Sequence, residues 1–221
     1  MQQFRTRIKI CGITNLIDAQ VAIKAGVDAL GFVFYPNSKR AVSISVAADF
    51  CNKLPAFVER VGLFVDPSEK DVKNTLDHVS LSLLQFHGNE TPEFCESFSV
   101  PYIKSIPMSV GADIEKNISN GEVIKKISSL HTNAVGFLLD SYHEGIPGGS
   151  GVTFDWSSVK NISDRPIILA GGLNKDNIRQ AISSLSPYAV DVSSGVESGP
   201  GKKDSRKIFE FVQSVRSLEI T

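Results

Sequence analysis

Eight times along the 221-residue chain a short apolar, β-branched run is followed by a longer segment, and the alternation never breaks. The runs are RIKICGI from Arg7, ALGFVFY from Ala29, VERVGLFVD from Val58, SLLQFHG from Ser82, YIKSIPM from Tyr102, AVGFLLD from Ala134, PIILAGGL from Pro166 and AVDVSSGV from Ala189. Between them apolar residues recur at three and four, which predicts helices at Leu16 to Ala25, Val46 to Lys53, Glu69 to Asp77, Asn177 to Ser184 and Ser205 to Ser217. A parallel strand pair needs a crossover long enough to hold a helix, so repeated strand–helix units mean a parallel sheet. Eight units in this length sit near the lower end of the (β/α)₈ TIM-barrel range, and closure removes the edges that an open sheet would have to protect. An open, doubly wound sheet is the competing topology. No linker or low-complexity stretch divides residues 1–221, so a single barrel domain is expected. GIPGGSG (Gly145 to Gly151) and SGVESGPG (Ser194 to Gly201) each follow a strand and precede a helix, so both read as βα loops, the active face of a barrel.

Composition narrows the function classes. Hydrophobic residues at 42% and charged ones at 21% describe an ordinary globular chain rather than a disordered or fibrous one. Lys plus Arg (23) against Asp plus Glu (24) leaves no global field to hold nucleic acid or anionic lipid. The longest apolar runs fall far short of the roughly 20 residues of a membrane helix. The start, MQQFRTRIKICGI, has no continuous apolar region and no small-residue cleavage site, so export is not expected. Cys11, Cys51 and Cys95 are widely spaced without a C-x-x-C pair, which fits neither a disulfide framework nor a zinc site. A cytoplasmic protein without a metal or cofactor is expected, as a monomer or a homodimer.

Barrel enzymes carry catalytic groups where strands run into βα loops. Three strand ends here are polar: Cys11 on the first, His87 on the fourth and Asp140 on the sixth. Side chains alternate along a strand, so with Ile8 and Ile10 facing the helices, Cys11 points into the mouth with Lys9 one layer below. Asp140 faces inward by the same alternation, and Gln85 shares a face with His87. A lone strand-end cysteine is more often a small buried hydrophobe than a catalyst, and a lone aspartate is also a weak signal. The pair says more. A thiol can serve as a base once a nearby cation lowers its pKa, while a desolvated carboxyl can hold its proton and act as an acid. Cys51, Cys95 and Trp156 read as packing residues.

The glycine turns supply a second signal. LAGGL (Leu169 to Leu173) ends the seventh strand and VSSGVE (Val192 to Glu197) ends the eighth. Many barrel enzymes bind a substrate phosphate at these two loops, through backbone N–H groups that glycine lets approach an anion. One such turn is no more than a tight turn; two at the expected positions point to a phosphorylated small-molecule ligand.

Taken together, KICGIT, GFVFYPNSKRAVS, QFHGNE, LLDS with GGSGVTFDW, LAGGLNKDNI and VDVSSGVESGPGKKD resemble the phosphoribosylanthranilate isomerase family, in family order and over nearly the whole chain. The resemblance implies an Amadori rearrangement in tryptophan biosynthesis, an aldose–ketose isomerisation without redox cofactor or metal. It implies Cys11 as general base, Asp140 as general acid, and Arg40 on the anthranilate carboxylate, a role suited to a guanidinium fork. Gly171, Gly172, Ser194 and Gly195 would cradle the phosphate. Asp191 would sit inward on the eighth strand at the depth of Lys9, an arrangement expected to form a buried pair beneath Cys11. His87 either orients substrate or Asp140, or is a hydrogen-bonded barrel histidine. Two departures stand out: Phe86 where Leu is commoner, and a somewhat long stretch between Asp140 and Gly148.

Three other functions remain open to the sequence. The sister Amadori isomerase of histidine biosynthesis uses an aspartate where this chain has Cys11, and carries phosphate sites in both halves. A Cys11 nucleophile activated by His87 would form a covalent intermediate. A non-catalytic barrel that only binds a phosphorylated ligand would need neither Cys11 nor Asp140.

Overall fold

The computed structural model describes residues 5–109, 119–142, 153–159 and 163–218. Eight parallel strands pair in sequence order into a closed barrel: β1 (Arg7–Cys11), β2 (Ala29–Val33), β3 (Glu59–Phe64), β4 (Leu83–Phe86), β5 (Tyr102–Ser109), β6 (Gly136–Tyr142), β7 (Ile167–Leu169) and β8 (Ala189–Val192). Closure runs through β1 and β8, where Lys9 stands opposite Asp191. The open doubly wound sheet is thereby excluded.

Around the barrel lie α1 (Leu16–Ala25), α2 (Ile44–Cys51), α3 (Glu69–His78), α4 (Pro92–Glu96), α5 (Asn120–Leu130), α6 (Ile178–Leu185) and α7 (Ser205–Arg216). The sequence places the second helix two residues late. Ser43 accepts a hydrogen bond from the Val46 amide and so starts α2 at Ile44, a cap that apolar spacing does not register. Trp156–Val159, read as the start of a helix, forms one 3₁₀ turn with the Trp156 ring buried. The segment after β8 departs most from a simple loop. Ser194–Val196 is a 3₁₀ turn, followed by an antiparallel hairpin of β9 (Glu197–Gly199) and β10 (Lys202–Lys203).

Alternation along the strands sorts residues between two cores. Ile8, Ile10, Phe86, Phe137 and Leu139 join the large core between barrel and helices. Ile103, Leu138, Ile168, Ala170 and Ala189 fill the barrel interior as a separate layer. Cys11 packs with Val33 and Leu63 in a third cluster. Phe86 is buried against the rings of Phe64, Phe94, Phe98 and Tyr102, so the departure from Leu is taken up on the helix side, away from the mouth. Cys51 and Cys95 are buried core residues, and burial pushes their thiols up to about 11 and about 12.

Candidate active site

Cys11 is the last residue of β1 and is 6% exposed. Gly31 stands beside it on β2; a Cβ there would lie 2.8 Å from the Cys11 sulphur and 3.1 Å from Lys9 Cε, so the missing side chain is the room these two occupy. A glycine inside the β-branched and aromatic run ALGFVFY was the available signal for this close approach.

Below Cys11, Lys9 Nζ donates to Asp191 Oδ2 at 2.9 Å, with both side chains buried. Burial works against the Lys9 ammonium, but Asp191 and the neighbouring Cys11 outweigh it and hold Lys9 above its ordinary value. Desolvation pushes the Cys11 thiol up, while Lys9 and then Lys203 pull it down and Asp191 pushes it up again. Lys203 reaches the same place from β10, donating to the Cys11 carbonyl at 2.6 Å and to Glu197 Oε1 at 2.8 Å. Glu197 and Lys203 both lie in the motif VDVSSGVESGPGKKD but are not among the site residues expected from it. Their signal was two charged residues six apart across a Gly-Pro-Gly turn, the register of a hairpin.

Asp140 lies on β6 opposite Pro107 of β5. Both strands continue two residues further, to Ser109 and Tyr142, so Asp140 sits just inside the strand rather than at its end. His87 follows β4, and its Nε2 lies 3.2 Å from Asp140 Oδ2; the two side chains are 29% and 27% exposed, open to a substrate. Gln85 Nε2 lies 3.1 Å from His87 Nδ1. The turn that carries His87 is bracketed from outside the barrel. Lys104 Nζ donates to the Gly88 carbonyl at 2.6 Å and to Glu90 Oε2 at 2.9 Å, and Glu90 also accepts from the Asp66 and Gly88 amides.

The two glycine turns meet. Gly171 and Gly172 follow β7 with φ of 81° and 65°, a region open to glycine without strain, and among the described residues neither amide finds a protein acceptor. A Cβ on Gly171 would lie 2.7 Å from Asp140 Oδ1, which brings this turn against the Asp140 carboxyl. Ser194 and Gly195 form the 3₁₀ turn after β8, and Gly195 rests on the Leu173 carbonyl with no room for a Cβ.

Arg40, from the loop between β2 and α2, donates from Nε and Nη2 to the two oxygens of Glu197, each at 2.8 Å. That occupies one edge of the guanidinium and leaves the Nη1/Nη2 end for a second anion. Asp191 Oδ1 and Gln85 Oε1 are buried polar atoms without a partner among the described residues. The GIPGGSG loop and most of the stretch between Asp140 and Gly148 lie outside the described residues. Among those described, no group of three or more His, Cys, Asp or Glu is placed to hold a metal ion, and no helix is long and apolar enough to cross a membrane.

A closed parallel barrel with a thiol beside two buried ammonium groups, a carboxyl across the mouth and two glycine turns after its last strands has the architecture of a (β/α)₈-barrel enzyme. A model of the family described as N-(5'-phosphoribosyl)anthranilate (PRA) isomerase matches residues 8–214. The chain belongs to this family. It is 48% identical over 209 residues to the N-(5'-phosphoribosyl)anthranilate isomerase of Pseudomonas savastanoi pv. phaseolicola, covering 95% of this chain and 97% of that one. The crystal structure of phosphoribosyl anthranilate isomerase from Thermotoga maritima superposes with a TM-score of 0.82 at 39% identity, covering 96% and 99% of the two chains. A second structure of such an isomerase, in complex with reduced 1-(o-carboxyphenylamino)-1-deoxyribulose 5-phosphate, gives 0.76 at 36% identity over the same shares.

Proposed function

We propose that this chain catalyses the Amadori rearrangement of N-(5-phosphoribosyl)anthranilate to 1-(o-carboxyphenylamino)-1-deoxyribulose 5-phosphate in tryptophan biosynthesis, with Asp140 as general acid and Cys11 as general base. Asp140 gives its proton to the furanose ring oxygen as the C1–O bond breaks and the anilino nitrogen lone pair closes a C1=N bond. The protonated Schiff base withdraws electrons from C2. The Cys11 thiolate then takes the C2 proton, the C–H pair becomes the C1=C2 bond, and the C=N pair returns to nitrogen. The enolamine tautomerises to the ketose.

The substrate is a phosphorylated small molecule, and the amides of Gly171, Gly172, Ser194 and Gly195 are the donors for its phosphate. The free Nη1/Nη2 end of Arg40 takes the anthranilate carboxylate as a fork. His87 orients Asp140 from 3.2 Å, and Asp191 offers its unpartnered Oδ1 to the substrate from below. The observation that carries the reading is a thiol within the field of Lys9 and Lys203 at the same mouth as an accessible carboxyl. Three free, separated cysteines support the cytoplasm as its place of action.

The test is growth of a tryptophan auxotroph lacking this isomerase. Rescue by the wild-type chain but not by Cys11→Ala or Asp140→Asn is expected. Failure of a well-expressed wild-type chain to restore growth overturns the reading.

A further inference from the structure

Charge reaches Cys11 from two sides, and the two sides are balanced differently. Beneath it, Lys9 of β1 and Asp191 of β8 meet one to one at 2.9 Å. Beside it, the Glu197 carboxylate of β9 is shared by Arg40 and by Lys203 of β10, all three contacts at 2.8 Å. That group holds two cations and one anion. Across the mouth stand Asp140 of β6 and His87 of the β4–α4 loop, paired with each other.

Lys203 is the least exposed charged side chain of this set, at 1%. Its Nζ donates to the Cys11 carbonyl at 2.6 Å, the Ser193 carbonyl at 3.2 Å and Glu197 Oε1 at 2.8 Å. Ser193 Oγ is a fourth acceptor at 3.4 Å, and oxygens on every side describe an ammonium, which Glu197 supports against the burial that pulls Lys203 below its ordinary value. Ser193 Oγ is a second donor to the Cys11 carbonyl, at 3.0 Å. The hairpin that carries Lys203 is tied down on both strands. Thr14 Oγ1 donates to the Gly201 carbonyl at 2.7 Å, the Lys203 amide to Asp18 at 2.9 Å, and Lys207 Nζ to the Glu197 carbonyl at 2.7 Å. Gly12 makes way for the Arg40 stem, since a Cβ there would lie 2.6 Å from Arg40 Cδ.

We propose, on the reading that Cys11 is the general base, that Lys203 is a positioning residue for it. The Arg40–Glu197–Lys203 triad carries one cation more than anions, and this unmatched charge favours the thiolate beside the pull of Lys9, which Asp191 partly offsets. Lys203 also holds the Cys11 backbone, so one ammonium sets both where the sulphur stands and which form it takes. The pull of Lys203 on the thiol, next to a Lys9 pull that Asp191 partly offsets, agrees with this division.

The test follows the charge count. Cys11 alkylation by iodoacetamide is measured against pH by peptide mass spectrometry, with Cys51 and Cys95 as internal references, alongside the pH profile of kcat/KM. Lys203→Met leaves Arg40 and Glu197 at zero net charge, and the Cys11 midpoint is expected to rise by about 1 pH unit or more, with a tenfold fall in kcat/KM on its acid side. Lys203→Met combined with Glu197→Gln leaves Arg40 alone, restoring the single positive charge, and the alkylation midpoint is expected to return toward wild type. A packing role would not be rescued by removing a second member. Lys203→Gln serves as the neutral variant should Lys203→Met not fold. An unchanged midpoint in the neutral single variants, or one that stays high in the double variant, overturns the proposal. If the midpoints move as expected but the wild-type chain shows no isomerase turnover, the charge assignment stands and the proposed reaction falls.

Discussion

Cys11 and Asp140 open on the same mouth, yet their surroundings share almost nothing. Cys11 is buried at the end of β1, with ammonium groups below and beside it and a glycine on β2 cut to its shape. Asp140 is more than a quarter exposed and meets a histidine that is equally open. The difference fits the roles proposed for the two groups. A thiol is a weak acid, and a base made from it needs fixed positive charge, which a buried, hydrogen-bonded frame holds in place. A carboxyl that must deliver a proton is hindered by a permanent cation at contact distance, so its side of the mouth is left for the substrate to complete.

The largest effect tests whether both halves belong to one reaction. Cys11→Ala and Asp140→Asn are each expected to lower kcat by about 10²- to 10⁴-fold, the range for losing one proton-transfer group. The double variant should fall little further, because groups that act as a unit are not additive. Steady-state kinetics of the four chains checks this; a wild-type kcat in Asp140→Asn would remove Asp140 from the reaction. The pH profile separates the halves further. Burial holds the Cys11 thiol above its ordinary value, so the thiolate is the minor form at neutral pH and its fraction grows tenfold per pH unit below the midpoint. The base limb of kcat/KM is therefore expected to rise with pH through the neutral range, and a flat base limb contradicts it.

Stability should divide as unevenly as burial does. Lys9→Met strands the Asp191 carboxylate in the barrel, and breaking a buried pair in this way costs about 3–5 kcal/mol. Urea unfolding of Lys9→Met is expected to show that loss, and Lys9→Met with Asp191→Leu to recover most of it. Asp140→Asn, at a partly exposed position, should stay within about 0.5 kcal/mol of wild type. A similar cost on both sides would show that the base has no special frame.

How far this division is legible in the sequence depends on the range of each interaction. Eight apolar runs with helical spacers report the barrel, because period and burial are local properties of the chain. Alternation from Ile8 and Ile10 is enough to face Lys9 inward, and strand order then sets Lys9 against Asp191. The Arg40–Glu197 and Lys203–Cys11 contacts were not legible. They join residues 157 and 192 positions apart, and they depend on a hairpin inside a segment that reads as a glycine loop. The end of β6 is not legible either: pairing with β5 carries the strand past Asp140, and no residue type marks that extension.

A glycine makes room on each side of the mouth. At Gly31→Ala the new Cβ would press on the Cys11 sulphur and Lys9 Cε. At Gly171→Ala it would meet the Ser141 backbone and Asp140, at a φ of 81° that strains alanine. Each is expected to cost about 1–3 kcal/mol of stability. The kinetic signatures should differ. Gly31→Ala is expected to shift the base limb and leave KM alone, whereas Gly171→Ala, in the turn proposed for the phosphate and beside Asp140, should raise KM and lower kcat together.

The smallest expected effect decides what His87 does. Gln85 presents its Nε2, a donor, to His87 Nδ1 at 3.1 Å. The imidazole then accepts at Nδ1 and carries its proton on Nε2, the nitrogen 3.2 Å from Asp140. With that proton on Nε2 the imidazole donates to Asp140 Oδ2 and aims the carboxyl. Its loss should cost one hydrogen bond, about 1 kcal/mol. His87→Gln is therefore expected to lower kcat about fivefold with KM nearly unchanged, and Gln85→Leu, which frees the tautomer, to lower it by less. Steady-state kinetics on both variants separates the roles. A raised KM at constant kcat in His87→Gln would assign the imidazole to substrate binding, and the acid half of the mouth would then have no positioning residue of its own to set against Lys9 and Lys203.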